Sequence, residues 1–402
     1  MLHYTEARQR VVSIVSRQRP ALATETVPLA ACAGRVQAVD VTADRDYPPF
    51  NRSTRDGYAL RAADIASVPA SLRRAGEVRA GEAFQGRVSQ GECVQIMTGA
   101  PVPDGADAVV MIEQTEMKGD QVLVKRAVPA GANIVPRGSE ARREEVLVTA
   151  GTPIAYPQIS LLGQVGCAQV TVFRRPRVAV LSTGDEVVPV GDTPGPVQIR
   201  NSNSYSLAAQ IVEFGGEPVL LGNARDEIKE LERLVRRGLE EDLLVLTGGV
   251  SMGKYDLVEV VLRRLGAEFH FDEVAIRPGR PAVFATCCDK FVFGLPGNPV
   301  STMVTFELFA APALAILAGA PAPVLRFLKA RLAAGVAQKT NLTMFLPARL
   351  EGEGSEVTVR AVSYQGSGDA VAVARADCYL VVPETVNQLE AGEWVDVLLR
   401  RG

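Results

Sequence analysis

The stretch Arg177-Val-Ala-Val-Leu-Ser-Thr-Gly-Asp-Glu186 decides how this chain folds. Its apolar run is too short for a helix and empties at once into hydroxyls, a glycine and two acids. That is the profile of a strand buried on both faces and ending in a polar loop. The pattern returns in Asp242-Leu-Leu-Val-Leu246 before Thr247-Gly-Gly-Val-Ser-Met-Gly-Lys-Tyr-Asp256, and in Phe291-Val-Phe293 before Gly294-Leu-Pro-Gly-Asn-Pro299. Helical periodicities lie among them: Ser204 to Phe214 stopped by Gly215-Gly216, Glu227 to Glu240, Asp256 to Leu265 stopped by Gly266, and Val300 to Leu317. Strands alternating with such helices predict a parallel sheet covered on both faces, with ligands bound beyond the carboxyl ends of the strands. The loops therefore read as one functional rim.

Working outward, Thr5 is the expected N-cap of an amphipathic helix carrying Ala7, Val11, Ile14 and Val15, which packs as an arm. The prolines and glycine of Tyr47-Pro-Pro-Phe-Asn-Arg-Ser-Thr-Arg-Asp-Gly-Tyr-Ala59 stiffen a turn that presents Ser53, Thr54 and Asp56. From Gly76 to Gly138, short β patterns punctuated by glycine predict a small β domain, with a hairpin at Lys118-Gly-Asp120 and a ligand-facing loop over Ile96 to Asp107. Residues 144–173 return to the first layer, which makes the β domain an insertion. Past the linker Gly319-Ala-Pro-Ala-Pro323, strand-length runs at Met344, Val357, Cys378 and Trp394 predict a compact β module. The expected fold is multidomain α/β and β. Residues 1–46 with 141–175 form a linking domain, 47–140 the inserted β domain, 176–322 a central three-layer α/β domain, and 323–402 a C-terminal β-barrel-like domain.

With 402 residues, 47% hydrophobic and 22% charged, the chain can bury several cores. A net charge of −3 offers no global attraction to nucleic acid or anionic lipid, and the pairs Arg142-Arg143 and Arg400-Arg401 are too short for a basic patch. Six scattered cysteines without a CxxC fit a reducing cytoplasm. Two histidines leave little scope for a His-based metal site or a Ser-His-Asp triad, and His270 reads as a packed strand residue. The first residues lack the apolar run of a signal peptide. Leu308 to Ala320, interrupted by Pro312, reads as a core helix and not a membrane span. The expectation is a soluble cytoplasmic protein.

The rim carries Asp185, Glu186, Asp226 and Asp256, four acids whose mutual repulsion calls for a compensating cation or proton. A hard cation bridging a substrate phosphate, most simply Mg²⁺, suits them. Asp226 and Asp256 also stand where helix N-caps would, and an N-cap can face a ligand. There is no GxxxxGK[ST] and no GxGxxG, which argues against P-loop and dinucleotide enzymes. Even so, Thr247-Gly248-Gly249 and Gly294 to Asn298 allow backbone N–H groups to approach an anion, and Arg277 and Arg280 add charge. Such a set suits a phosphate- or pyrophosphate-bearing ligand with a divalent metal, handled by positioning and electrostatics without a protein nucleophile.

Six segments in order along the chain carry a family resemblance: Ser53-Thr-Arg-Asp-Gly-Tyr-Ala59, Met97-Thr-Gly-Ala-Pro101, Ser182-Thr-Gly-Asp-Glu186, Gly248-Gly-Val-Ser-Met-Gly253, Arg277-Pro-Gly-Arg-Pro281 and Leu295-Pro-Gly-Asn-Pro-Val-Ser301. The chain resembles the molybdopterin molybdenumtransferase family, which includes the C-terminal domain of gephyrin. The resemblance implies a homodimer of elongated four-domain subunits, with the central molybdopterin-binding domain facing the inserted β domain of the other subunit. It implies adenylylated molybdopterin and molybdate as substrates, Mg²⁺ as cofactor, and release of AMP. By motif position, Asp56 and Thr98 come from the inserted domain, and Glu186, Asp226 and Asp256 organise metal and substrate. Substrate contacts fall to Ser182, Thr183, Gly184, Gly248, Gly249, Ser251, Arg277, Arg280, Pro296, Gly297, Asn298 and Pro299, and more loosely to Arg349 and Ser367. The chain departs from the family pattern at Arg55 (usually Met), Glu273 (usually Lys), Asn201 (usually Asp), Ser139-Glu140 (often Glu-Asp), and at Arg277 and Arg280 (usually lysines). Arginines keep the charge but hold anions with a planar fork. Two other activities use similar features: the preceding adenylyl transfer onto molybdopterin, which flanking domains on both sides oppose, and a non-catalytic pterin-binding scaffold. Tungstate is a further candidate oxyanion.

Overall fold

The structure is a computed structural model and describes residues 1–249, 257–338 and 340–400. At its centre is a six-stranded sheet in the order Glu217–Ala224, Arg177–Thr183, Leu243–Thr247, Lys290–Leu295, Pro281–Cys287, Glu268–Glu273. The first four strands are parallel, with Val180 opposite Val245 and Leu244 opposite Val292. Successive residues of one strand bury on opposite faces. Val178 and Val180 join one core with the helices Asn203–Glu213 and Pro299–Leu317, while Ala179 and Leu181 join the other with Ile228–Gly238 and Leu257–Arg264. This makes the domain three-layered and explains why its strands read as unbroken apolar runs.

The sheet is mixed where the sequence predicted a parallel one. Pro281–Cys287 and Lys290–Leu295 form a hairpin with Phe284 opposite Phe293, and Glu268–Glu273 is antiparallel beside it. The hairpin turns on Cys288 and Asp289, both in the left-handed region at φ 51° and 60°, which a two-residue turn matched to strand twist demands. Its aromatic side chains form a core stack, Phe284 lying 4.8 Å from Phe293.

The first helix is Tyr4–Gln18, capped by His3 and not by Thr5: the His3 ring accepts the Thr5 N–H, and the Glu6 carboxylate accepts that of His3. It buries Ala7, Val11, Ile14 and Val15 in the core of the central domain, so it is no separate arm. The apolar helix Pro299–Leu317 is 89% buried along its most apolar window and is a core helix. It accommodates Pro312 through a π turn at Phe306–Ala310. Pro312 has no N–H for the carbonyl of Leu308, four residues before it. Arg8 takes that place, with Nη1 donating to Leu308 O at 2.7 Å and Nη2 donating to Pro323 O. Arg8→Ala is expected to lower stability by about 1–3 kcal/mol by leaving buried acceptors unmet, and an unchanged denaturation midpoint would refute this pairing.

Outside the central domain, Thr24–Pro28 pairs with Gln169–Phe173 and Val41–Thr42 with Val146–Val148. Between those pairings in sequence lies a six-stranded β unit, order Ala108–Met111, Gly57–Leu60, Glu92–Ile96, Ala70–Val78, Gln121–Val124, Thr115–Lys118. Its last two strands meet at the Lys118-Gly-Asp120 hairpin, with Lys118 opposite Gln121. In the C-terminal region, Thr343–Glu351, Thr358–Ala361, Phe327–Leu332, Trp394–Leu399 and Cys378–Val382 follow one another, and the last pairs back onto the first with Cys378 opposite Ala348. The closed five-stranded barrel leaves no open sheet edge.

Candidate active site

The loops after the parallel strands enclose a cleft of about 400 Å³ at one edge of the central sheet. Ser182, Thr183, Gly184 and Glu186 line it from the loop after the first strand, and Asp226 from the loop after the second. Thr247, Gly248 and Gly249 follow from the third, and Pro296, Gly297, Asn298 and Pro299 from the fourth, where the chain enters a helix.

Close packing of these loops dictates their glycines. Gly248 has φ 90°, and a Cβ there would lie 2.7 Å from the Thr183 carbonyl oxygen. A Cβ on Gly184, at φ 128°, would lie 2.4 Å from Glu186 Oε2, so the missing side chain is what allows the carboxylate to fold back over its own loop. Hydrogen bonds lock the loops together. Asn203 Nδ2 donates to Thr247 Oγ1 at 3.0 Å and to Gly297 O at 2.7 Å. Thr247 Oγ1 donates to Pro296 O at 3.2 Å, and Thr302 Oγ1 to the same oxygen at 2.5 Å. Asn201 Nδ2 donates to Ser182 Oγ at 2.7 Å, and that hydroxyl donates to Gly222 O at 3.1 Å. An ionised aspartate at 201 could only accept there.

Three buried polar atoms in and beside this framework, Thr183 Oγ1, Asn203 Oδ1 and Asn223 Oδ1, have no protein partner. Orphaned polar atoms at a rigid cleft are the complement of a polar ligand. Arg200, Asn203 and Asn223 were not read from the sequence as site residues. Arg200 and Asn203 line the cleft, and Asn223 supports the Gly184 loop by donating to Gly184 O at 2.9 Å. Among the described residues lining the cleft, Arg200 supplies the cation, its exposed guanidinium steadied by Nε donating to Asp192 O at 3.0 Å.

Other sequence candidates lie elsewhere. Arg280 pairs with Glu273 at 3.2 Å, which neutralises the charge reversed at Glu273 and keeps Arg280 out of the cleft lining. Arg277 sits on the two-residue strand Ile276–Arg277, paired with the barrel strand at Thr343 and Met344, and it is not in the lining either. Arg349 is exposed on the barrel opposite Arg360. Ser367 is joined to the cleft loop: Asn298 Nδ2 donates to its Oγ at 2.8 Å and the Val300 N–H to its carbonyl at 3.0 Å. Asp56 Oδ1 accepts the Thr98 N–H at 2.7 Å, so these two form one exposed unit on the inserted β region, apart from the cleft lining of the same chain. Asp256 and Ser251 lie outside the described residues. His270 is packed beside Phe284 with Nε2 3.2 Å from Thr286 Oγ1, and burial lowers its pKa.

The electrostatics of the cleft centre on Asp226. Its carboxyl is pushed above the usual carboxylate range first by loss of hydration and then by the charges of Asp185 and Glu186, while the backbone N–H of Asp185 opposes the rise; the Asp226 N–H in turn donates to Asp185 Oδ1 at 3.1 Å. Among the described residues no group of three or more His, Cys, Asp or Glu side chains forms a protein-only metal site. Two carboxylates lining one cleft, one of them resisting ionisation, do fit a divalent cation of the kind that takes one or two protein carboxylates together with substrate phosphate oxygens.

Comparison with known proteins covers almost the entire chain. Residues 2–166 match the family described as MoeA N-terminal region (domain I and II), 179–316 a probable molybdopterin binding domain, and 329–399 the MoeA C-terminal region (domain IV). The molybdopterin molybdenumtransferase of Bacillus subtilis (strain 168) is 35% identical over 94% of this chain and 90% of its own length. That of Staphylococcus aureus (strain N315) is 33% identical over 98% and 94%. A crystal structure of a molybdopterin biosynthesis moeA protein from Pyrococcus horikoshii OT3 superposes with TM-score 0.83 at 29% identity, covering 100% of both chains. Another structure of a moeA protein from Pyrococcus gives 0.77 at 34% identity, with 99% of each chain covered.

Proposed function

The chain belongs to the MoeA family of molybdopterin molybdenumtransferases and serves molybdenum cofactor biosynthesis as an enzyme, and on that premise we propose that its cleft binds adenylylated molybdopterin and molybdate, breaks the phosphoanhydride link with Mg²⁺, and releases AMP and the molybdenum-loaded pterin. The observation that carries this reading is the shared cleft: two acids and glycine-rich anion loops meet around orphaned polar atoms. Backbone N–H groups of the Gly248 and Gly297 loops and the Arg200 guanidinium hold phosphate oxygens. The Thr183 hydroxyl and the side-chain carbonyl oxygen of Asn203 take the polar edge of the ligand. Glu186 and Asp226 hold Mg²⁺, joined by Asp256. Bound there, the cation offsets the negative charge that builds on the leaving phosphate. Asp56 and Thr98 reach the cleft from a second protomer in a homodimer, completing a site that one chain leaves open. The linking, inserted, central and barrel segments keep the limits read from the sequence except that the helix Tyr4–Gln18 goes with the central domain, whose core it joins, and the reaction takes place in the cytoplasm, in keeping with six free cysteines. The adenylyltransferase alternative is not favoured, because the relatives matching at both flanks are molybdenumtransferases.

Turnover with adenylylated molybdopterin, molybdate and Mg²⁺ tests the reading. AMP release should need both the oxyanion and the cation. AMP-ligand formation from ATP and molybdopterin would overturn it in favour of adenylyl transfer, and tight pterin binding without cleavage in favour of a scaffold. Tungstate in place of molybdate sets the oxyanion preference. A second test uses Asp226. Its raised pKa means that the folded state holds a proton more tightly than the unfolded chain, so stability is full below the unfolded carboxylate pKa and falls as pH rises through the folded one. Mg²⁺ removes that penalty, so the thermal shift it produces should be larger at pH 7.5 than at pH 5. An equal shift at both values would argue against Asp226 as a ligand.

A further inference from the structure

At the end of the central sheet away from the cleft, the hairpin between Pro281–Cys287 and Lys290–Leu295 places two cysteines side by side. Cys287 is buried and Cys288 exposed, and their sulfurs are 3.9 Å apart. Both also face the carbonyl oxygen of Leu265, at 3.7 Å and 4.0 Å, just past the end of the helix Leu257–Arg264. A hollow of about 510 Å³ opens beside them, lined by Glu268 and Asp289 among others. The turn itself is unusual in composition. Its two positions have positive φ, which Asn, Asp and Gly accept readily; Asp289 suits its position, whereas Cys288 does not. Local conformation does not account for a cysteine there.

We infer that Cys287 and Cys288 form a vicinal dithiol site for a soft, thiophilic cation, separate from the hard-cation chemistry of the cleft. Two thiolates bound at about 2.3 Å with a tetrahedral angle between them stand about 3.8 Å apart, close to the observed separation, so the sulfurs need little rearrangement. The Leu265 carbonyl offers an oxygen donor at the negative end of a helix, which favours positive charge. Glu268 and Asp289 add negative charge at the mouth of the hollow, while Arg236 on the adjacent helix is the cation acting on Cys287. Soft sulfur ligands at a tetrahedral spread select the class of ion: Zn²⁺ and its softer analogue Cd²⁺ over Mg²⁺. Burial and the neighbouring thiol hold the Cys287 sulfhydryl at about 11, so that thiol enters protonated. Each gives its proton to the buffer as its sulfur takes the metal, two protons per ion.

Titration of the reduced full-length protein with Cd²⁺ under excess Mg²⁺ tests the site. The expected result is a thiolate-to-metal charge-transfer absorbance saturating at one ion per chain, with two protons released. The absorbance should be lost in Cys288→Ser and in Cys287→Ser but kept in Cys167→Ser, which alters the half-buried cysteine elsewhere in the chain. Since Cys288 is exposed on a turn, its variant should fold normally, which circular dichroism checks. No saturable absorbance in the parent protein, or an absorbance that survives Cys288→Ser, would overturn the assignment.

Discussion

Replacing Glu186 with Gln and Asp226 with Asn together should lower molybdate-dependent AMP release by about 100-fold or more, while raising thermal stability in the absence of divalent cation. Two opposite effects are expected because the same carboxylates serve the substrate and repel each other. Asp226 already resists ionisation, through lost hydration and the charges of Asp185 and Glu186. Neutral amides of the same shape remove that repulsion but can no longer hold the proposed Mg²⁺. The double variant should also lose its Mg²⁺-induced thermal shift. A variant that keeps full turnover, or one that is destabilised without metal, would remove these acids from the proposed site.

Gly248→Ala should be nearly as damaging, for a steric reason. Alanine at φ 90° is strained, at a cost of about 1–3 kcal/mol, and its Cβ would lie 2.7 Å from the Thr183 carbonyl oxygen. On its other side, Gly248 abuts Gly297. Relief of the clash must displace Thr183 or the Gly297 loop, both in the cleft lining. Misplacing groups by about 1 Å can cost about 100-fold in rate. Gly266→Ala separates conformational strain from collision, because Gly266 has φ 79° with nothing within 4 Å of the added Cβ. Gly266→Ala should lose stability and keep turnover, whereas Gly248→Ala should lose both. Equal turnover in the two variants would show that the Gly248 contact does not shape the cleft.

The parallel strands and their loops were legible because both faces of the sheet are buried, so apolar runs such as Val178 to Leu181 end abruptly at polar rim residues. The antiparallel edge was hidden by its entry. Arg277-Pro-Gly-Arg-Pro281 stood out only for its two cations, and nothing local shows that Pro281–Cys287 folds back as a hairpin. The same stretch misplaced Arg280 in the cleft, since its partner Glu273 is reached only through the folded chain. The helix cap was misread because His3 does the work usually done by a hydroxyl or short acid. Arg200 and Asn203 escaped notice because they lie beyond Val187 and Val188, in a segment that pairs back through Ile199 and Arg200 before meeting loops from distant strands. Their nearness to Thr247 and Gly297 is a product of topology, not of spacing in the sequence.

The most direct measurement concerns whether the site is shared between protomers. Asp56→Ala and Glu186→Ala chains should each be inactive as homodimers. Mixed at random in equal amounts, half of all dimers carry one chain of each kind, and in every such dimer one of two sites combines an intact Asp56 with an intact Glu186, so turnover should return to about one quarter of the unaltered level. Purified mixed dimers as inactive as either parent would contradict a cleft completed by Asp56 and Thr98 of a second copy.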